Sequence, residues 1–194
     1  MIDAPFRTLL EKLSHPLVQF FVHQKIHPNT LTWMSFFISS LSIYFILSDQ
    51  PLMALILWWS GRLFDGLDGL VARAAKLQSA RGGFLDISLD MLAYSLVAFS
   101  FFLRSEYDVL WCAVIVGYVM CITTALSLGS VEVNKDNRSL RLASGLAEAG
   151  ETGLFYSSIL LFPQFEKYLL LIWLSILGIT VIVRFIRVYQ KDTQ

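Results

Sequence analysis

Four aspartates, Asp65, Asp68, Asp86 and Asp90, stand near one end of otherwise apolar stretches of this 194-residue chain. Asp65 and Asp68 are three residues apart and Asp86 and Asp90 four apart, so on helices each pair projects from one face. If the two helices pack as an antiparallel hairpin, all four carboxylates can converge. Such a cluster repels itself unless cations neutralise it, and oxygen-only ligation suits hard divalent ions such as Mg²⁺ or Mn²⁺. Two ions are the natural load, because a pair about 4 Å apart stabilises both the attacking and the leaving oxygens of a phosphoryl-type displacement. Gly66 and Gly69 interleave with the first pair, and Gly82 and Gly83 precede the second. Small residues let helices approach closely in lipid and leave room for a phosphate against the backbone. Arg73, Lys76 and Arg81 follow on the same rim, where a cation could hold a diphosphate. The planar guanidinium of Arg73 matches phosphate oxygens, whereas Lys76 reads equally well as a membrane-surface anchor with no ligand.

These residues need elements to carry them, and composition says in which solvent. Hydrophobic residues make up 56% of the chain and charged residues 15%, against about 25% charged in ordinary soluble domains; mean hydropathy is +0.62. Lysine plus arginine equals aspartate plus glutamate, 15 of each, so there is no bulk basic field of the kind that draws proteins to nucleic acid. Six apolar segments run over Leu31–Leu47, Leu52–Ala72, Phe84–Leu103, Val109–Leu128, Thr152–Phe162 and Tyr168–Val188, most of them near the 20 residues that a bilayer core requires. The expected architecture is an all-α membrane protein, a single domain over 1–194. It comprises an N-terminal amphipathic interfacial helix (1–28) and a six-helix transmembrane bundle (29–188). In the first segment, Phe6, Leu9, Leu10, Leu13, Leu17, Phe20 and Phe21 form one side, so it either lies in the interface plane or packs on the bundle. Asn29 or Thr30, just after Pro28, is the expected N-cap of the next helix. The joints after the first, third and fifth spans hold only Arg104 and Lys167 of the 15 basic residues. That bias puts both termini and the loops Arg73–Arg81 and Gly129–Arg141 in the cytoplasm. Cys112 and Cys121, nine positions apart on one helix, cannot bridge each other and read as small buried hydrophobes. Arg62, three residues before Asp65, either pairs with an aspartate or touches a ligand, and the ion pair is the favoured reading.

The stretch Asp65-Gly66-Leu67-Asp68-Gly69-Leu70-Val71-Ala72-Arg73, then eight residues, then Gly82-Gly83-Phe84-Leu85-Asp86-Ile87-Ser88-Leu89-Asp90, resembles the signature of the CDP-alcohol phosphatidyltransferase family at all eight of its fixed positions. The Pro28-Asn29-Thr30-Leu31-Thr32 segment and the six spans are similar to the family's pattern as well. The resemblance implies transfer of a phosphatidyl group from CDP-diacylglycerol to an alcohol, with release of CMP, by a homodimer in a bacterial inner membrane whose active site faces the cytoplasm. It implies that Asp65, Asp68, Asp86 and Asp90 ligate two divalent cations, with Asp90 also the general base. Asn29, Thr32, Gly69, Ala72, Arg73 and Gly82 would then bind the cytidine diphosphate.

The acceptor alcohol is less legible. Family members that make phosphatidylglycerol phosphate often read Asp-Pro-x-x-Asp-Lys across the last two aspartates, and inositol-type members place an arginine after the fourth. Here Asp90 is followed by Met91, so the pattern resembles a bacterial inner-membrane branch instead. Arg138, Arg141, Glu148 and Glu151 are the candidate acceptor-binding residues, the glutamates favouring a hydroxyl-rich or cationic alcohol and the arginines an acceptor phosphate. A competing reading leaves Glu148 and Glu151 as favourable charges at a helix N-terminus. Two rival functions stand beside the main one: a choline- or ethanolamine-type phosphotransferase acting on diacylglycerol, and an ion-coupled transporter relaying ions through intramembrane carboxylates.

Overall fold

The computed structural model describes residues 14–136 and 149–192. Every regular element among them is helical: α1 over 14–23, α2 (Pro28–Leu47), α3 (Pro51–Ala74), α4 (Ala80–Phe102), α5 (Asp108–Asp136), α6 (Ala149–Leu161), a 3₁₀ turn (Pro163–Phe165) and α7 (Glu166–Asp192). The six apolar segments each seed one of α2 to α7. The main difference lies in α5, which continues as helix through Asp136 into the stretch expected to be loop. Helix α2 starts at Pro28, two or three residues earlier than a cap at Asn29 or Thr30 would set it. His27 rather than Asn29 caps it: the His27 Nδ1 accepts the Asn29 N–H at 3.2 Å, and Pro28 takes the first helical position, where its missing N–H costs nothing. The Asn29 side chain is thereby left for other partners. At the far end of α3, Lys76 adopts the left-handed conformation (φ 55°). Leu77 N–H reaches the Ala72 carbonyl at 2.9 Å and Lys76 N–H the Arg73 carbonyl at 3.2 Å, a Schellman closure that stops the helix just past Arg73.

Four stretches among the described residues are long and apolar enough to cross a membrane: Pro28–Leu47, Ala80–Phe102, Asp108–Gly129 and Pro163–Tyr189. The other two expected spans differ for identifiable reasons. Helix α3 has the length, 24 residues, but carries Arg62, Asp65, Asp68 and Arg73. Helix α6 has 13 described residues, roughly 20 Å at 1.5 Å per residue, short of a 30 Å hydrocarbon core.

The chain divides into two compact units, one comprising Met1–Phe45 with Met53–Ala93 and the other Ile46–Leu52 with Tyr94–Gln194. In the first, Val18 of α1, Leu31 of α2, and Leu67 and Val71 of α3 form the apolar core, with Phe21, Val22, Ile26, Phe64 and Leu70 packed on it. The described part of the N-terminal segment is thus a packed helix, although Leu17 and Phe20 point outward; Phe6, Leu9, Leu10 and Leu13 lie outside the described residues. Helices α2 and α3 meet at Gly61, where a side chain would begin 2.0 Å from the Ser39 Oγ and 3.0 Å from both the Ser35 carbonyl oxygen and the Ser39 nitrogen.

The second unit is held by stacked aromatics and by polar atoms matched inside apolar helices. Phe101 stacks on Trp111 and Phe155 on Trp173, each pair at 4.8 Å between centroids. Tyr156 donates to the Tyr94 carbonyl at 2.7 Å and Trp111 Nε1 to Glu166 at 2.7 Å. Gly117 lets Leu177 of α7 lie against α5. Cys121 is buried as expected, but Cys112 is exposed, because it sits on the opposite face of α5.

Gly61 and Gly66 make opposite predictions. Gly61→Val forces α2 off α3 and should lower stability by about 1–3 kcal/mol, as overpacked interfaces do. Gly66 has nothing within 4 Å of its missing side chain, so Gly66→Ala, which removes a helix-interior glycine, should raise stability by about 0.5–1 kcal/mol, read as a small increase in the melting temperature of the detergent-purified protein.

Candidate active site

The first unit places the four aspartates on two adjacent helix surfaces, Asp65 and Asp68 on α3 and Asp86 and Asp90 on α4. Asp65, Asp68 and Asp86 each offer a carboxylate oxygen within 4.8 Å of the other two. Asp68, 6% exposed, has its Oδ2 fixed by the Thr32 hydroxyl of α2, which donates to it at 2.5 Å. The Oδ1 of Asp65 is buried with no hydrogen-bond partner. A buried carboxylate oxygen left without a donor is expensive, and here its surroundings are other carboxylates. A hard divalent cation is the group such a donor set fits: all-oxygen ligands, negative charge, and spacing that one ion can span.

Asp90 is placed differently from the other three. Its Oδ1 accepts from Arg62 Nη1 at 2.7 Å, and the same nitrogen lies 3.5 Å from Asp65 Oδ2. In an antiparallel pair, moving deeper along α4 brings a residue opposite an earlier position of α3, so one turn past Asp86 lands on Arg62. The favoured reading of Arg62 as an ion-pair partner therefore holds, and Asp90 stands beside Asp65 with Arg62 Nη1 facing both carboxylates. Arg62 is itself held tightly. Its Nη2 donates to Ser35 Oγ and Ser39 Oγ, both at 3.3 Å, its guanidinium sits 5.1 Å over the Trp58 ring, and its side chain is 6% exposed. Ser35 and Ser39 carried no signal in the sequence beyond being hydroxyls one turn apart in an apolar helix.

A cavity of about 210 Å³ opens beside the carboxylates, with Asp68 and Asp86 in its wall. All six residues expected to bind nucleotide line it: Asn29, Thr32, Gly69, Ala72, Arg73 and Gly82. The missing side chain of Gly69 would begin 3.3 Å from Arg73 Nη1, and that of Gly82 lies 3.4 Å from Asn29 Oδ1. Both glycines therefore keep polar side chains close to bare backbone. Gln78 and Ser79 line the cavity too and were not foreseen. Ser79 was nevertheless detectable as the cap of α4, since its Oγ accepts the Gly82 N–H at 3.0 Å. The start of α4 thus borders the cavity, and a helix N-terminus favours anions. Of the acceptor candidates, Glu151 is exposed in the first turn of α6; Arg138, Arg141 and Glu148 lie outside the described residues.

Comparison with known proteins supports the class that this fold and site define. The sequence profile described as CDP-alcohol phosphatidyltransferase matches residues 25–190, and the chain belongs to that family. Among curated relatives, it is 41% identical over 105 residues to the inner membrane protein YnjF of Escherichia coli, covering 54% of this chain and 50% of the relative. It is 35% identical over 133 residues to the archaetidylinositol phosphate synthase of Pyrococcus horikoshii, covering 65% and 64%. The chain thus spans between about half and under two thirds of the length of these relatives. Among solved structures, the Mycobacterium tuberculosis phosphatidylinositol phosphate synthase with CDP-DAG bound superposes with a TM-score of 0.64, covering 91% of each chain, at 15% identity. That likeness is one of fold. Family, relatives and apolar helices together make this an integral membrane protein.

The Thr32 contact yields a direct test. Thr32→Val removes the donor that orients Asp68 and should weaken Mn²⁺ binding by about 10- to 100-fold, as loss of a hydrogen bond to a metal ligand does. Mn²⁺ titration of the purified protein measures it.

Proposed function

We propose that the protein transfers a phosphatidyl group from CDP-diacylglycerol to an alcohol and releases CMP. The observation that carries this reading is the adjacency of three gathered carboxylates, one with an unpartnered oxygen, to a cavity lined by all six residues expected to bind the nucleotide. Asp65, Asp68 and Asp86, with Asp90 beside them, would hold the divalent cations. When bound, these neutralise charge on the diphosphate and acidify the acceptor hydroxyl. Arg73, on the wall of the same cavity, would meet the diphosphate, and the bare backbone at Gly69 and Gly82 would admit it closely. Asp90 takes the proton of the acceptor hydroxyl. The acceptor oxygen then bonds to the phosphorus on the lipid side of the diphosphate, the bond from that phosphorus to the bridging oxygen breaks, and CMP departs with the electron pair.

The relatives are named for inositol- and serine-type products, while Met91 follows Asp90 in this chain. The acceptor pocket is read as Arg138, Arg141, Glu148 and Glu151. The same reading places six spans in a cytoplasmic membrane, with α1 at the interface and both termini on the cytoplasmic side, where the basic residues crowd. Family membership leaves the transporter alternative without support.

Purified protein with Mn²⁺ should release CMP from CDP-diacylglycerol in the presence of one or more of glycerol 3-phosphate, inositol phosphate, serine and simple alcohols. Asp90→Asn should lower that rate by about 10²- to 10⁴-fold, the usual contribution of a positioned base. Absence of CMP release with every acceptor, but turnover of CDP-choline with diacylglycerol, would transfer the reading to the phosphotransferase alternative. Glu151→Gln should change acceptor preference; an unaltered preference and rate removes Glu151 from the pocket.

A further inference from the structure

We propose that Arg62 is a positioning residue that makes loading of the second divalent cation depend on the nucleotide's diphosphate; this rests on the function proposed above. The argument begins with charge. The four aspartates carry four negative charges, and Arg62, in contact with two of them, returns one positive. One divalent cation at Asp65, Asp68 and Asp86 leaves this group of five side chains one charge negative. A second leaves it one charge positive, in a nearly dry setting where like charges repel strongly. The diphosphate supplies the negative charge that makes the second ion favourable. Arg73, on the cavity wall, adds only to the positive side and so strengthens the dependence.

Geometry gives the same order of events. Arg62 engages Oδ1 of Asp90 at 2.7 Å, so a cation that needs Asp90 must share it with a guanidinium. That guanidinium cannot swing away cheaply. Ser35 and Ser39 hold its other nitrogen, Trp58 covers its face, and Gly61 brings those two serines against α3 at a distance no larger residue allows. Four residues on two helices, Ser35, Ser39, Trp58 and Gly61, thus converge on holding one positive charge beside Asp90. A plain packing role would not need the guanidinium to be anchored from the hydroxyl side and aimed at the carboxylates of Asp90 and Asp65.

The experiment is Mn²⁺ binding to the full chain in detergent, followed by calorimetry and by the electron paramagnetic resonance of free Mn²⁺, with and without CDP. Wild type should bind one Mn²⁺ tightly and a second only weakly, the second tightening by tenfold or more when CDP is added. Arg62→Gln should tighten the second ion without CDP by about a hundredfold or more, the effect of removing a unit charge within about 10 Å of a divalent ion at an effective dielectric near 20. Arg62→Lys, which keeps the charge, should retain the dependence on CDP. Adding Asp90→Asn to Arg62→Gln should abolish the gain, because the competed ligand is gone. Equal affinity for two Mn²⁺ ions in wild type without CDP overturns the proposal and requires no variant to fold. An isotherm unmoved by Arg62→Gln does so as well. Failure of the enzymatic reading looks different: wild type then releases no CMP from CDP-diacylglycerol with any acceptor, whatever its Mn²⁺ isotherm.

Discussion

Crowding four carboxylates at the ends of apolar helices is the constraint around which the first unit is organised. Each such group at membrane depth costs several kcal/mol unless something compensates it, and the structure compensates them unequally. Asp68 receives a hydroxyl from Thr32 and Asp90 a guanidinium from Arg62. Asp65 keeps one oxygen without a donor inside a ring of like charges. The asymmetry is informative, because a cluster built for stability alone would satisfy every oxygen. The unpaid electrostatic cost is located at the point where three carboxylates face one another, and a divalent cation there removes it.

Glycine is put to two separate uses around this cluster. Gly61 sits where α2 and α3 touch, and its missing side chain is what lets Ser35 and Ser39 come within reach of Arg62. Gly69 and Gly82 instead border the cavity, each with a polar side chain, Arg73 or Asn29, standing within van der Waals distance of where its own would be. Packing at the first position determines whether the cation is correctly aimed. Space at the other two determines whether a phosphate can reach both backbone and guanidinium. The Schellman closure at Lys76 and the Ser79 cap on α4 keep the intervening turn short, so that the end of α3 and the start of α4 frame one opening.

The family match and the backbone likeness to a CDP-DAG-bound synthase agree with the site's own chemistry but act at a different level. They define a helical membrane scaffold carrying a signature. The scaffold is compatible with several acceptors, as the varied names of the relatives show. In the proposed function the eight signature positions serve metal and nucleotide, which leaves discrimination among alcohols to residues outside them.

Much of this was legible in the linear chain because it is local. Apolar runs of membrane length seed helices wherever they occur. Spacings of three and four put the paired aspartates on single faces, and a glycine among acidic and basic residues marks where a phosphate can come close. The six expected nucleotide-binding positions could be named in advance because the chain resembles a known family, and four of them belong to one hairpin whose turn is short. What only the tertiary structure decided is which groups meet across helices. Sequence spacing is silent on which aspartates Arg62 engages, on Ser35 and Ser39 as partners of that arginine, and on Gly61 rather than Gly66 as the packing glycine. Those outcomes depend on the register between α2, α3 and α4. Register is set by the sum of many weak side-chain contacts rather than by any periodicity along the chain.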